Sequence, residues 1–67
     1  MTLINIRPDS CVLELEKQEI GCINNALNEV CNGIDIAEFE TRLGCSVKKM
    51  QDLLSQVSNI VRRLDSE

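Results

Sequence analysis

The first fifteen residues contain two short apolar runs that predict a β-hairpin. The runs are residues 2–7, TLINIR, and residues 11–15, CVLEL, and the turn-forming letters PDS separate them. Cys11, Leu13 and Leu15 fall on one side of an alternating strand, whereas the first run alternates less well. Because a lone hairpin is marginally stable in water, we expect this hairpin to lie against a helix.

From about Glu16 to Asn32 the apolar residues follow a helical period. Ile20, Ile23, Leu27, Val30 and Cys31 fall on one face of the predicted helix. Gly33 follows at the position where a left-handed glycine commonly ends a helix.

This helix contains several asparagines, which are poor helix formers because their amides compete for backbone groups. Asn24 and Asn28 border the apolar face, and we expect them to bind backbone groups of the hairpin or of Asp35. Asn25 and Glu29 lie on the outer face, where the alternative role is contact with a partner.

Two further helices are predicted. A short helix spans residues 36–43 with Asp35 as its N-cap, and Gly44 ends it. Ser46 caps a longer helix over residues 47–64, whose apolar positions alternate in steps of three and four. The predicted fold is a single α+β domain spanning residues 1–67, dominated by helices: an N-terminal hairpin, then three helices, the last long and amphipathic.

The long helix has more apolar length than the short helix can cover. A helix of 18 residues is about 27 Å long, whereas one of eight residues is about 12 Å long. We therefore expect a second chain to cover its last turns, with a monomer folded back on itself as a close alternative. The predicted seam for a homodimer or another protein consists of Leu53, Val57, Ile60, Val61 and Leu64.

The composition also favours association. The chain has 67 residues and a single aromatic side chain, Phe39. A domain of this size buries only about 60% of the surface of its unfolded chain. We see neither a secretory signal nor a run of about 20 apolar residues, so we expect a cytoplasmic protein without membrane contact.

The four cysteines, at positions 11, 22, 31 and 45, are spaced unlike the pairs of a zinc site, and the chain has no histidine. We interpret them as buried apolar thiols, as expected in a reducing compartment. A disulfide framework and a metal site are the alternatives. We expect no cofactor.

The net charge of −4 is unevenly distributed. Residues 1–41 contain eight acidic and two basic side chains, whereas residues 42–67 contain three acidic and five basic ones. The acidic part is either an ordinary aid to solubility or a surface for a basic protein. Lys48 and Lys49 lie in the first turn of the long helix, where positive charge opposes the helix dipole. Their surroundings are either a solvated surface or an anion site.

The segment IAEFETRLGCSVKKMQDLL, residues 36–54, resembles the helix-turn-helix of DNA-binding proteins. Gly44 corresponds to the turn glycine, and the resemblance implies that Ser46, Lys48 and Gln51 face the major groove. The alternative is a tight helical hairpin that serves only folding. The candidate contacts with an anion or DNA are Arg42, Ser46, Lys48, Lys49 and Gln51.

The combination of NNALNEVCNGI and EFETRLGCS resembles a family of small, mostly uncharacterised bacterial proteins over roughly residues 20–55. Some similar small acidic proteins are immunity proteins, so the resemblance implies binding of a secreted toxin. The sequence shows no serine beside a base and no glycine-rich phosphate loop, so we expect no enzyme.

The expected function is therefore a non-catalytic protein-binding module, with Asn25, Glu29 and Glu38 as candidate partner contacts. The alternatives are a small helix-turn-helix regulator and a structural subunit of a larger complex. Nucleic acid is the less favoured partner, because binding it requires basic side chains that neutralise phosphates, and this chain is acidic overall.

Overall fold

The computed structural model of the protein describes residues 1–66 and confirms a hairpin followed by three helices. Strands β1, Thr2–Arg7, and β2, Ser10–Glu14, form the hairpin. Helix α1, Lys17–Asn28, continues into one turn of π-helix, Glu29–Gly33. Helix α2 spans Phe39–Leu43 and helix α3 spans Val47–Asp65. The predicted α+β fold class, dominated by helices, is correct.

The hairpin is antiparallel and contains a β-bulge. Leu3 pairs with Leu13, and Ile6 pairs with Cys11, but the register shifts between Leu3 and Asn5, so Ile4 is the extra residue of β1. All residues from Met1 to Glu14 are exposed. The prediction that this hairpin lies against a helix is therefore wrong.

Within residues 1–66, the polar side-chain contacts between the hairpin and the helices lie at the N-terminal end of the hairpin. The amino group of Met1 forms an ion pair with the carboxylate of Glu19, at 2.7 Å. Glu19 also accepts a hydrogen bond from the backbone N–H of Glu16, at 2.9 Å, within a capping box that begins α1. These polar contacts fix the N-terminal end of β1 beside α1 and leave both faces of the hairpin uncovered.

The core lies between α1 and α3, which pack against each other. Among the described residues, the buried hydrophobic side chains are Ile20, with 6% of its surface exposed, and Met50, with 8%. The Ser58 hydroxyl of α3 donates a hydrogen bond to the side-chain oxygen of Asn24, at 2.6 Å. The core is small because the chain has few large apolar side chains between these helices.

The C-terminal end of α1 differs from the prediction. Gly33 is not left-handed, and the backbone N–H of Ile34 donates to the carbonyl of Glu29 at 3.0 Å, the spacing of a π-turn. Asn28 accepts a hydrogen bond from the amide of Asn32 at 3.0 Å. The prediction that Asn24 and Asn28 bind backbone groups is thus wrong, because both bind side chains instead.

Helix α2 begins three residues later than predicted. The residue before it is Glu38, which has the left-handed angles φ 54° and ψ 48°, and its carbonyl accepts from the N–H of Arg42 at 3.1 Å. Asp35 is therefore not the N-cap. No ion pair joins Glu38 to Arg42 within residues 1–66.

The turn between α2 and α3 agrees with the prediction. Gly44 is left-handed, with φ 77°, and its N–H donates to the carbonyl of Glu40 at 2.8 Å. The Ser46 hydroxyl accepts a hydrogen bond from the backbone N–H of Lys49 at 3.1 Å and so caps α3.

Candidate protein interface

Part of the apolar surface of α3 is left exposed beside the core. Met50 is the buried residue of α3, and Leu53, Ile60 and Leu64 lie about 40–80° from it around the helix axis, on the side away from Ser58. We call these three residues the α3 flank. Within it Ile60 is 45% exposed and Leu64 is 36% exposed, while Leu53 is half-buried.

The five residues of the predicted seam differ in exposure. Leu53, Val57 and Val61 are half-buried, and the two valines lie within about 20° of the buried Met50 around the helix axis. Ile60 and Leu64 are exposed, and both lie in the last two turns of the helix. Among the seam residues, exposure is therefore greatest in the last turns of α3, where we expected a second chain to cover the helix.

The hairpin presents a second apolar surface, which the sequence analysis missed. Paired residues lie on the same face of a sheet. Leu3 with Leu13 and Ile6 with Cys11 thus form one face, which we call the apolar hairpin face. The bulge at Ile4 brings Leu3 and Ile6 to this face although they are three positions apart. The signal in the sequence was the irregular alternation of apolar and polar residues in the first run. A bulge accounts for it, because one extra residue restores the alternation of faces on either side.

The candidate partner contacts lie in two places. Asn25 and Glu29 are both exposed, one helical turn apart, and lie on the side of α1 opposite Ile20. Glu38 is exposed in the turn before α2, and no hydrogen bond or ion pair joins its side chain to Asn25 or Glu29 in the described part of the chain. Its left-handed backbone is uncommon for a residue with a side chain.

The acidic segment, residues 16–41, carries six acidic side chains and one basic side chain. Glu19 is occupied by the amino terminus, whose hydrogen bond to the carboxylate lowers the pKa of Glu19 below its ordinary value, helped by the N–H of Glu16. Lys17 forms an ion pair with Asp65 of α3 at 3.1 Å. For the other five carboxylates no ion pair is found within residues 1–66. They are Glu16, Glu29, Asp35, Glu38 and Glu40.

The candidate anion or DNA contacts surround the turn at Gly44. The side chains of Arg42, Lys48, Lys49 and Gln51 are exposed. However, Lys48 forms an ion pair with Asp52 at 3.4 Å, and the Ser46 hydroxyl is occupied by the cap of α3. Helix α2 has only five residues. The helix before this turn is therefore shorter than the sequence predicted.

The cysteines are less buried than predicted. All four are free thiols; Cys11 and Cys22 are exposed, and Cys31 and Cys45 are half-buried. The interpretation as buried apolar thiols is wrong for the exposed pair, because the hairpin and the outer side of α1 are uncovered. No group of three or more potential metal ligands lies together within residues 1–66. In the same residues no helix is both long and apolar enough to cross a membrane.

Comparison of this chain with protein-family models, with curated proteins and with solved structures gave no significant match.

Proposed function

We propose that this chain is a non-catalytic protein-binding module that offers its acidic segment to a basic protein partner. Neutralisation of a basic toxin, as by an immunity protein, is the form of this function that the resemblance implies. The observation that carries the proposal is that five carboxylates of the acidic segment have no ion-pair partner within residues 1–66, and the amount of surface that a single copy leaves exposed supports it.

The accessible surface of the chain is 5378 Å². A folded monomer of this mass typically exposes about 4,200 Å², so the excess is about 1,100 Å². The radius of gyration, 13.4 Å, likewise exceeds the roughly 11 Å typical of a compact domain of this length. Large exposed apolar surfaces on small proteins mark contact sites.

The charge distribution supports a basic partner. Five carboxylates of the acidic segment have no ion-pair partner within residues 1–66. They lie at the N-cap of α1, in the π-turn, in the segment before α2 and in α2 itself. Such a field accelerates encounter with a positively charged protein and discriminates against acidic ones. Asn25, Glu29 and Glu38 are the proposed contacts, since they are exposed within this segment.

The test is a pull-down with the tagged protein from a lysate of its native host, followed by mass spectrometry. The variant is Glu29→Gln/Glu38→Gln, and the control is Asp9→Asn/Glu14→Gln, which changes the net charge equally on the hairpin. We expect a basic protein to be captured by the wild type and the control, lost with the variant, and released by raised salt. Equal capture by variant and control would contradict the proposal.

Duplex DNA is the competing ligand for the turn at Gly44, and the exposed Arg42 and Lys49 favour it. Lys48→Glu/Lys49→Glu should abolish DNA binding if this alternative holds, and the affinity should fall steeply with salt. DNA binding by the wild type with these properties would support the regulator and count against the proposed protein-binding function.

A further inference from the structure

We propose that a second copy of this chain covers the hairpin. In the resulting symmetric dimer, the apolar hairpin face of each copy packs on the α3 flank of the other copy. Two surfaces that a single copy leaves uncovered are thereby buried together.

The apolar hairpin face is continuous because of the bulge. Leu3, Ile6, Cys11 and Leu13 share one side of the hairpin, and Leu3, Ile6 and Leu13 are 53%, 72% and 44% exposed. An isolated two-stranded hairpin is marginal in water and normally needs a third layer or strand. No helix of the same copy supplies that layer, since residues 1–14 are all exposed.

The exposed area is sufficient for a stable dimer. A standard protein interface buries about 800 Å² on each partner. The excess surface of one copy, about 1,100 Å², is larger than that requirement. Covering the hairpin and the α3 flank would therefore bring the exposed surface close to the value typical of a compact chain.

The two surfaces match in size. β1 has six residues and is about 20 Å long, and the α3 flank extends over about 17 Å from Leu53 to Leu64. The hairpin can therefore lie along this flank. In a two-fold arrangement the contact of one hairpin with the other copy is repeated by symmetry, so both hairpins are covered and the assembly is closed.

The charges permit this contact. Residues 1–15 contain one basic and two acidic side chains, while residues 47–66 contain four basic and two acidic ones. The contact thus joins a slightly acidic surface to a basic one. The strongly acidic segment lies between them in the sequence, and the proposed dimer leaves it for a basic partner.

This inference rests on the proposed function in one premise, namely that exposed apolar surface marks a contact site. A monomer that still captures a basic protein would overturn the dimer and leave the proposed function standing. A dimer that captures none would do the opposite.

The first test is sedimentation over a range of concentrations. The wild type should be a dimer that dissociates on dilution. Leu13→Glu should raise the dimer dissociation constant at least about 100-fold, because symmetry places the new carboxylate at two contacts. Val12→Glu is the matched control: Val12 is the neighbouring residue, is also 44% exposed and lies on the opposite face of the hairpin.

The second test asks whether each hairpin packs on the α3 flank of the other copy, as proposed, or on the other hairpin. Ile60→Glu should also give a monomer, whereas Asn59→Glu, on the outer side of α3, should not. A mixture of Leu13→Glu and Ile60→Glu should form a heterodimer, since one of its two contacts consists of wild-type surfaces. Unchanged dimerisation of Ile60→Glu, or no heterodimer in the mixture, would overturn the proposal.

The third test uses the wild type and needs no folded variant. Cys11 lies on the apolar hairpin face, whereas Cys22 lies on the side of α1 opposite Ile20, and both thiols are exposed in a single copy. Alkylation of Cys11 by iodoacetamide should slow at least tenfold between dilute and concentrated protein, while alkylation of Cys22 should not. Equal rates for Cys11 at both concentrations, or a concentration-independent monomer in sedimentation, would overturn the proposal.

Discussion

The hydroxyl of Ser58 in α3 donates a hydrogen bond of 2.6 Å to the side-chain oxygen of Asn24 in α1, across the half-buried contact between the two longest helices. The ion pair of Lys17 with Asp65, at 3.1 Å, also joins the side chains of these two helices, but it lies at an exposed position. An asparagine that looks unfavourable within a helix is thereby explained by its position in the packed structure.

Breaking this bond should destabilise the protein. Ser58→Ala and Asn24→Ala should each lower the free energy of unfolding by about 1 kcal/mol, because each leaves a partly buried partner unsatisfied. The double variant should lose less than the sum of the two, as measured in urea titrations. Asn25→Ala, an exposed neighbour, is the control and should not lower stability. Simple additivity would show that the two side chains are not coupled.

Glu38 offers a test of backbone strain. Its left-handed φ of 54° costs a residue with a side chain about 1–2 kcal/mol, which glycine does not incur. Glycine loses more conformational entropy on folding, which offsets part of this gain. Glu38→Gly should therefore raise the free energy of unfolding by about 0.5–1 kcal/mol. Glu40→Gly, inside α2, should lower it. Loss of stability in Glu38→Gly would mean that its side chain makes a stabilising contact.

Two glycines should respond oppositely to the same change. Gly21→Ala should raise the free energy of unfolding by about 1 kcal/mol, because alanine favours the helix and the added methyl group meets nothing within 4 Å. Gly44→Ala should lower it by about 1 kcal/mol, since φ is 77° there although the space is equally open. Thermal unfolding followed by circular dichroism measures both. A common sign would contradict the assigned backbone conformations.

The ion pair between the amino group of Met1 and Glu19 should make stability depend on pH. The lowered pKa of Glu19 means that its contribution is fully present above the ordinary value of 4.5 and is lost as pH falls through the folded-state pKa. Glu19→Gln should therefore be less stable than the wild type at pH 7, with the difference shrinking below 4.5. Glu40→Gln is the control. A difference that persists at pH 2 would point to a cause other than ionisation.

Local sequence was sufficient for much of the fold. The structure has the elements that four local signals predicted. These signals are the turn residues Pro8 and Asp9, the helical period after Glu16, the glycine at position 44 and the cap at Ser46, and each of them acts over a few residues. The late start of α2 was not predictable, because the backbone of Glu38 adopts a conformation that its side chain disfavours.

The candidate surfaces were only partly predictable. The period of α3 identified its apolar residues. It could not show that Ile60 and Leu64 stay exposed while Val61 is half-buried, because that difference depends on where α1 packs. The apolar hairpin face depends on a register shift at Ile4, whose sign in the sequence is the irregular alternation of the first run.

Propensity, capping and composition are local properties, so the chain alone was enough to specify the order of elements, the ends of α3 and the uneven charge. Three features emerge only from tertiary packing: the uncovered hairpin, the contact of Asn24 with Ser58 and the exposed part of α3. These depend on contacts between residues far apart in the chain, where packing and geometry outweigh local preference.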